Sequence, residues 1–209
     1  GLGDVYKRQA LMSTRPVTAQ DALDQCEKLS PMMVHYCQTK TGLTDPANTI
    51  LFYRLGDFYE MFFEDATLVS KELELTLTGK DCGMEDRAPM CGIPYHAAEG
   101  YINRLVENGH KVAICEQMED PKQAKGMVKR EVVRVVTPGT TLIPQGLDET
   151  KNNYIMSIVC MEGCFGISTA DISTGQCLVT EMDKPRRLVD EITKFMPAEI
   201  ICNQSFLLC

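Results

Sequence analysis

The sequence predicts an α/β protein in two parts: a compact mixed α/β domain over residues 30–138 and an incomplete second domain over residues 154–209. Short runs of β-branched and aromatic residues alternate with segments whose apolar residues recur every three or four positions, which is typical of strands interleaved with amphipathic helices. A polar stretch with proline and glycine separates the two parts and predicts a linker over residues 139–153. The 209 residues suffice for one large domain or two small ones.

The chain ahead of the first domain is polar. We expect residues 1–29 to form a flexible lead, and we interpret residues 1–11 as a non-native extension before Met12 because they match no later pattern. The first helix is better defined, since Ser30 supplies a hydroxyl cap and proline follows at the first helical position. Gly42 is predicted to end this helix.

The next stretch joins a strand to a helix and carries an unusual pair of side chains. Thr49–Tyr53 predicts a buried strand. Gly56 marks the hinge, and the apolar residues after it predict an amphipathic helix: Tyr59, Phe62, Phe63, Ala66, Val69 and Leu73. Phe58 and Glu60 lie two positions apart, so they share a face only where the backbone is extended. In that case an aromatic ring and a carboxylate lie side by side at a strand-to-helix corner.

The rest of the first domain predicts alternating strands and helices. A charged loop spans Asp81–Ala88, and two prolines around a glycine make Pro89–His96 a rigid segment. The remaining predicted elements are a strand at Leu75–Thr78, a helix from Ala97 to Asn108, a strand at Lys111–Glu116, a short polar turn or helix at Asp120–Lys125 and a strand at Glu131–Val136.

The second domain begins with three strands in hairpin style. Tight turns at Glu162-Gly163 and Ser173–Gly175 separate them. The predicted elements are strands at Tyr154–Cys160, Phe165–Ile172 and Gln176–Glu181, a helix at Pro185–Phe195 and a strand at Glu199–Cys202. This order is how a ribonuclease H-like fold begins. Because Cys209 comes before such a fold is complete, we interpret the chain as a fragment.

Charge and cysteine usage narrow the classes of function. The net charge is -8, and residues 30–138 carry 12 basic and 16 acidic side chains, which argues against nucleic-acid binding by bulk electrostatics. This charge balance still allows nucleic-acid binding through a local basic strip. We predict no signal peptide and no membrane-spanning segment. The ten cysteines are scattered singly, which favours reduced thiols in a cytoplasmic protein over a disulfide framework or a zinc site.

Nucleotide-dependent and metal-dependent catalysis each require recognisable residues. The sequence has no phosphate-binding glycine loop, so we predict no bound nucleotide and no catalytic residue in this chain. Clustered carboxylates leave a Mg²⁺-dependent nuclease open, built on Asp57, Glu60 and Asp171. The competing interpretation is that Glu64 and Asp65 simply form the solvated face of the helix. We therefore expect no metal site.

Phe58 and Glu60 also suit a nucleic-acid probe. Minor-groove binders insert apolar wedges between base steps and kink the duplex. A paired A·T step shows only acceptors in the minor groove, and a carboxylate is also only an acceptor. A mispaired base exposes an imino N–H that Glu60 can accept, so Glu60 is predicted to disfavour correct duplex and tolerate defective duplex. Spacing alone favours the alternative, in which Phe58 is one more aromatic residue of the core.

Four blocks resemble the bacterial MutS-type DNA mismatch repair proteins: Phe52–Phe62, Ala88–Ala97, Val112–Gln117 and Arg134–Thr140. Ser168–Gly175 is more weakly similar to the connector domain of that family. The resemblance implies a mismatch-recognition domain followed by part of a connector domain. It also implies that Phe58 stacks on a mispaired base through the minor groove while Glu60 hydrogen-bonds to it.

The resemblance carries further implications for contacts and partners. It places basic groups near DNA at Lys80 and Arg130, and it places Met90 on a loop that approaches the groove. We predict a DNA contact for Lys129 as well. The alternative is that Lys80, Lys129 and Arg130 belong to an ordinary solvated face. It implies mismatched double-stranded DNA as ligand, a MutL-type protein bound by the connector, a homodimeric and nucleoid-associated parent, and ATP with Mg²⁺ in parent domains outside this chain. A pure protein-interaction module is the remaining alternative.

Overall fold

The computed structural model describes residues 18–25, 27–119, 126–141 and 152–208, and it divides between Val135 and Val136 into two compact units. The elements of the first unit are α1 (Ala19–Gln25), α2 (Pro31–Thr41), β1 (Thr49–Leu55), β2 (Phe58–Phe62), α3 (Phe63–Glu72), β3 (Thr78–Lys80), β4 (Ala88–Pro94), a 3-10 turn (Tyr95–Ala97), α4 (Ala98–Glu107), β5 (Lys111–Gln117) and β6 (Arg130–Val136).

The first unit is built on a mixed six-stranded sheet with strand order β3-β4-β2-β1-β5-β6. Strand β1 pairs antiparallel with β2 and parallel with β5, and β4 pairs antiparallel with both β2 and β3. Five consecutive residues of β1, Thr49–Tyr53, are buried, as expected for a central strand covered on both faces. The predicted α/β class is confirmed.

Helices cover both faces of this sheet. On one face α1 and α2 pack over a cluster in which Tyr36 meets Tyr53 and Phe62 at ring-centroid distances of 5.4 and 4.8 Å. On the other face α3 packs against β2 and β4, and α4 packs against β5. Edge-to-face aromatic pairs of this kind add about 0.5–1.5 kcal/mol beyond the burial of their area.

A buried ion pair ties α3 to α2 and β1. The Lys40 Nζ atom donates to Asp65 Oδ1 and to the Thr49 carbonyl, both at 2.6 Å, and the Leu51 N–H donates to Asp65 Oδ2 at 2.8 Å. Burial, opposed by Lys40, raises the pKa of Asp65 to about 6. The interpretation of Asp65 as solvated was therefore wrong. Its neighbour Glu64 accepts a hydrogen bond from the Ala19 N–H at 2.8 Å and so anchors α1.

The strand-to-helix corner lies later in the chain than predicted. Residues 58–62 form strand β2, and α3 begins only at Phe63, so the helix predicted from Tyr59 was wrong over its first turn. The corner itself falls at Phe63, whose φ of 52° lies in the left-handed region although its ring is fully buried. Such a conformation costs a bulky residue on the order of 1–3 kcal/mol, which packing of the ring offsets.

A second shift follows from how α3 ends. The Leu75 N–H donates to the Ser70 carbonyl at 2.9 Å while Glu74 adopts a φ of 56°, which is a Schellman-type helix cap. The cap extends into the start of the strand that is predicted at Leu75–Thr78. The observed strand β3 therefore lies at Thr78–Lys80.

The other predictions for the first unit are confirmed in part. The helix of Pro31–Thr41 is confirmed, with Ser30 Oγ accepting from the Met33 N–H at 3.4 Å. The rigid segment proves to be strand β4, and a short helix stands inside the expected flexible lead, with Ala19 and Ala22 fully buried. The turn predicted at Asp120–Lys125, most of the linker and residues 1–17 lie outside the described residues.

The second unit has the predicted order of elements. These are β7 (Tyr154–Met161), β8 (Cys164–Asp171), β9 (Gln176–Met182), α5 (Pro185–Phe195), β10 (Glu199–Cys202) and α6 (Gln204–Leu207). Its sheet order is β10-β7-β8-β9, in which β7, β8 and β9 are antiparallel and β10 lies parallel to β7. Leu188 of α5 joins a core with Met156, Ile158 and Ile167. This is the predicted start of a ribonuclease H-like arrangement.

Two further observations concern the described residues only. Cys37, Cys82, Cys91 and Cys115 are buried in the first unit. None of the described helices is both long and apolar enough to cross a bilayer.

Replacing Lys40 with methionine tests the buried ion pair. Removing one partner leaves the Asp65 carboxylate buried without its cation, a change that costs about 3–5 kcal/mol in comparable pairs. We expect the free energy of unfolding in urea to fall by about this amount. The Lys111→Met variant is a matched control, because its ion pair with Asp45 (3.3 Å) has exposed side chains and should matter little. Equal losses in both variants would contradict the assignment.

Candidate nucleic-acid interface

An exposed aromatic ring stands at the tip of the hairpin formed by β1 and β2. Leu55 pairs with Phe58, so the connecting turn consists of Gly56 and Asp57 alone. Gly56 has a φ of 58°, the value that a type II′ hairpin turn requires at its first position. Phe58 is 47% exposed, whereas the other phenylalanines of the first unit are fully buried.

Phe58 and Glu60 lie on one face of the extended strand β2. Tyr59 and Met61 alternate with them and are buried on the opposite face. Phe62 follows on the same face as Glu60 and enters the core beneath α2. The extended backbone that the sequence argument required is therefore present, and the ring and the carboxylate are neighbours on the part of this face nearest the hairpin tip.

The Glu60 carboxylate is held by a lysine that reaches across from the edge of the sheet. Lys80 Nζ donates to Glu60 Oε2 at 2.6 Å, and Lys80 lies on β3, which β4 separates from β2. The Glu60 side chain is only 15% exposed, compared with 33% for Lys80. Directly beside Glu60 on β4 is Gly92, where a Cβ atom would lie 3.5 Å from Glu60 Cγ. Because glycine has no side chain, no group projects from β4 at the position beside the carboxylate.

Polar contacts from two strands and from the 3-10 turn fix the hairpin tip. Arg54 Nε donates to the Gly56 carbonyl at 2.6 Å, and the Gly56 N–H donates to Gln117 Oε1 at 3.1 Å. The Tyr95 N–H donates to the Asp57 carbonyl at 2.9 Å. The Arg54 guanidinium also lies 3.6 Å from the centre of the Tyr95 ring, which is a close cation–π contact. Sequence reasoning missed these supporting residues, because no local spacing connects Gln117 or Tyr95 to the turn.

A hydrogen bond from Tyr59 supports β2 on the face opposite Phe58 and Glu60. The Tyr59 hydroxyl donates to the Glu116 carboxylate, which also lies 3.5 Å from the Arg54 guanidinium. Burial, followed by the bond to Glu116, raises the pKa of Tyr59 to about 12. The hydroxyl therefore keeps its proton over the whole physiological range and remains a donor.

The other predicted DNA-contacting residues have differing environments. Lys129 is exposed and pairs with Glu131 at 2.7 Å. Arg130 is only 8% exposed, and its guanidinium donates to the carbonyls of Arg54 and Val128 at 2.8 Å each, which favours a structural role beneath the hairpin. Met90 is part of strand β4 and packs partly buried against the core, so its expected loop position was wrong. Contact of these residues with DNA stays a prediction.

The nuclease alternative gains no support from the geometry. Asp171 is buried in the second unit, where its Oδ1 atom accepts from the Ser173 N–H and hydroxyl and from the Thr174 N–H. These hydrogen bonds, the Ser173 hydroxyl first, lower the pKa of Asp171 and cap the turn between β8 and β9. Glu60 is engaged by Lys80, and the described residues contain no group of three potential metal ligands.

Comparison with known proteins agrees with the division of the chain. Residues 30–144 match the family model for MutS domain I, and residues 153–208 match the model for MutS domain II. The first match contains the hairpin with Phe58 and Glu60.

Several curated bacterial relatives carry the name DNA mismatch repair protein MutS. The protein of Lachnoclostridium phytofermentans is 63% identical over 182 residues, which cover 87% of this chain and 19% of the relative. The protein of Acetivibrio thermocellus is 55% identical over 181 residues, covering 85% of this chain and 20% of the relative. The chain thus spans about a fifth of the length of the relatives it matches. It belongs to the MutS family, of which it carries the domain I segment and a domain II segment.

Proposed function

We propose that this chain recognises mismatched base pairs in double-stranded DNA, as part of a longer mismatch-repair protein. The observation that carries the proposal is the exposed Phe58 ring, which shares one face of a rigidly supported hairpin with the Glu60 carboxylate in a member of the MutS family. Recognition of this kind is binding and not catalysis, so the chain itself acts as a sensor.

Phe58 acts as the wedge. A ring at the tip of a two-residue turn can enter the minor groove and stack on a base whose partner no longer holds it in the duplex. A mismatched base is the least costly to displace, since its pairing is already weak. Support from Arg54, Gln117 and Tyr95 means that the hairpin loses little conformational entropy when it inserts.

Glu60 supplies discrimination. Its carboxylate only accepts hydrogen bonds, so it gains a partner where a displaced base presents an N–H. A correctly paired step offers mainly acceptors in the minor groove, and the carboxylate is then repelled by them and by the phosphates. The same residue therefore favours a mispaired site and disfavours a paired one.

Other parts of the longer protein complete the function in this proposal. This sequence has no phosphate-binding glycine loop, so ATP and Mg²⁺ would be bound by those other parts. The longer protein would be a homodimeric DNA-dependent ATPase that operates in the cytoplasm. The second unit would serve as the connector and help to recruit a MutL-type partner. The acidic net charge of -8 is consistent with a chain that recognises a defect locally and leaves most of the phosphate contacts to other domains.

Replacing Phe58 with alanine in the full-length protein should abolish most of the preference for mismatched DNA. Stacking of a base on an aromatic side chain is worth about 1–3 kcal/mol, so affinity for a mismatched duplex should fall roughly 5- to 150-fold while matched binding changes little. Titrations with both duplexes at one salt concentration measure this. Val133→Ala is the control, because Val133 is similarly exposed (53%) but lies on the edge strand β6. Unchanged discrimination in Phe58→Ala would refute the wedge.

Replacing Glu60 with alanine should strengthen binding to matched duplex. One repulsive charge is removed, and an effect on the order of 1 kcal/mol corresponds to about a 5-fold gain in affinity. Glu131→Ala is a suitable control, since Glu131 is also an acid paired with a lysine on the same unit. If matched-duplex affinity in Glu60→Ala equals that of the parent, the discriminating role of the carboxylate is wrong.

A further inference from the structure

We propose that Lys80 is a positioning residue that sets the specificity of mismatch recognition by acting through Glu60. This inference rests on the proposed function of Phe58 and Glu60. It differs from the simpler expectation that Lys80 is one more cation binding a DNA phosphate.

Lys80 is held in place by more than one contact where it reaches Glu60. Its side chain extends from β3 over β4, and the ammonium lies 5.9 Å from the centre of the Phe62 ring as well as 2.6 Å from Glu60 Oε2. A lysine immobilised in this way loses rotamer freedom, and the partly buried ion pair and the ring compensate for that loss. The contact is therefore more than an encounter of two mobile surface groups.

The two oxygens of the Glu60 carboxylate can serve two different partners. Lys80 uses Oε2, and among the described residues no donor uses Oε1. A carboxylate has two acceptor oxygens, so one can stay with Lys80 while the other receives an N–H from a displaced base. The side chain beside Glu60 on β4 is absent because the residue is Gly92, which leaves room for that base.

The ion pair then has two separable effects on binding. The ammonium compensates the negative charge of Glu60, which helps matched and mismatched duplexes by the same factor. It also holds the Glu60 carboxylate in one orientation, which helps only the duplex that offers an N–H. Losing the lysine should therefore weaken both complexes and reduce the ratio of mismatched to matched affinity as well.

The test is a double-mutant cycle in the full-length protein, with Lys80→Met made in the parent and in Glu60→Gln. In the parent, Lys80→Met should lower the ratio of mismatched to matched affinity by about 2- to 10-fold, the range set by immobilising one side chain at an interface. In Glu60→Gln the same change should leave the ratio unaltered, because no carboxylate is left to position. Lys80→Arg, which keeps an ion pair with Glu60, should restore most of the ratio.

Controls separate this inference from its alternatives. Lys129→Met removes another lysine that pairs with a glutamate (2.7 Å) on the same unit, and it should leave the ratio unchanged. An unchanged ratio in Lys80→Met, or an equal drop in both backgrounds, would overturn the role of Lys80. Thermal unfolding of each variant excludes loss of folding as the cause. Phe58→Ala, measured in parallel, distinguishes failure of the role of Lys80 from failure of the proposed function. If Phe58→Ala keeps its preference for mismatched DNA, the proposed function itself fails.

Discussion

The antiparallel pairing of β1 with β2 across the two-residue turn is the constraint on which the rest of the candidate interface depends. Because side chains alternate along a strand, a slip of one residue would turn Phe58 and Glu60 inward and expose Tyr59 and Met61. The turn geometry at Gly56 fixes this register locally. Farther along the same strands, the buried pair of Lys40 and Asp65 ties β1 to the helices on either side. The core thus holds one end of the hairpin so that the other end can present an exposed ring.

Electrostatics at this interface are local. An acidic chain gains no general attraction to DNA, so specificity must come from where individual charges stand. Glu60 would be an unfavourable residue beside phosphates if it stood alone. The ion pair with Lys80 uses its Oε2 atom and, in our proposal, makes the negative charge tolerable. In our proposal, the balance between these two side chains lets one surface accept a displaced base and disfavour a correct pair.

Much of the fold could be predicted from the sequence, because local signals and tertiary structure agree there. The capped helix after Ser30, the buried strand at Thr49–Tyr53 and the meander of the second unit all follow from caps, turns and periodicity. The failures arise where tertiary packing overrides a local pattern. Tyr59, Phe62 and Phe63 match a helical period, yet pairing with β1 and β4 makes residues 58–62 a strand. Likewise Phe58 and Glu60 could be singled out by spacing, whereas the support from Gln117, Tyr95 and Lys80 required a three-dimensional structure.

Covalent capture of the DNA by position 58 tests the central claim most directly. A photo-reactive phenylalanine analogue would replace Phe58 in the full-length protein, which is then irradiated with a duplex that contains one mismatch. Our account predicts a cross-link confined to the mispaired base and its stacking neighbour, and almost none with the matched duplex. The same analogue in place of Val133, which is exposed on β6, should not show this pattern. Cross-links that are spread equally over matched and mismatched duplexes would contradict the account.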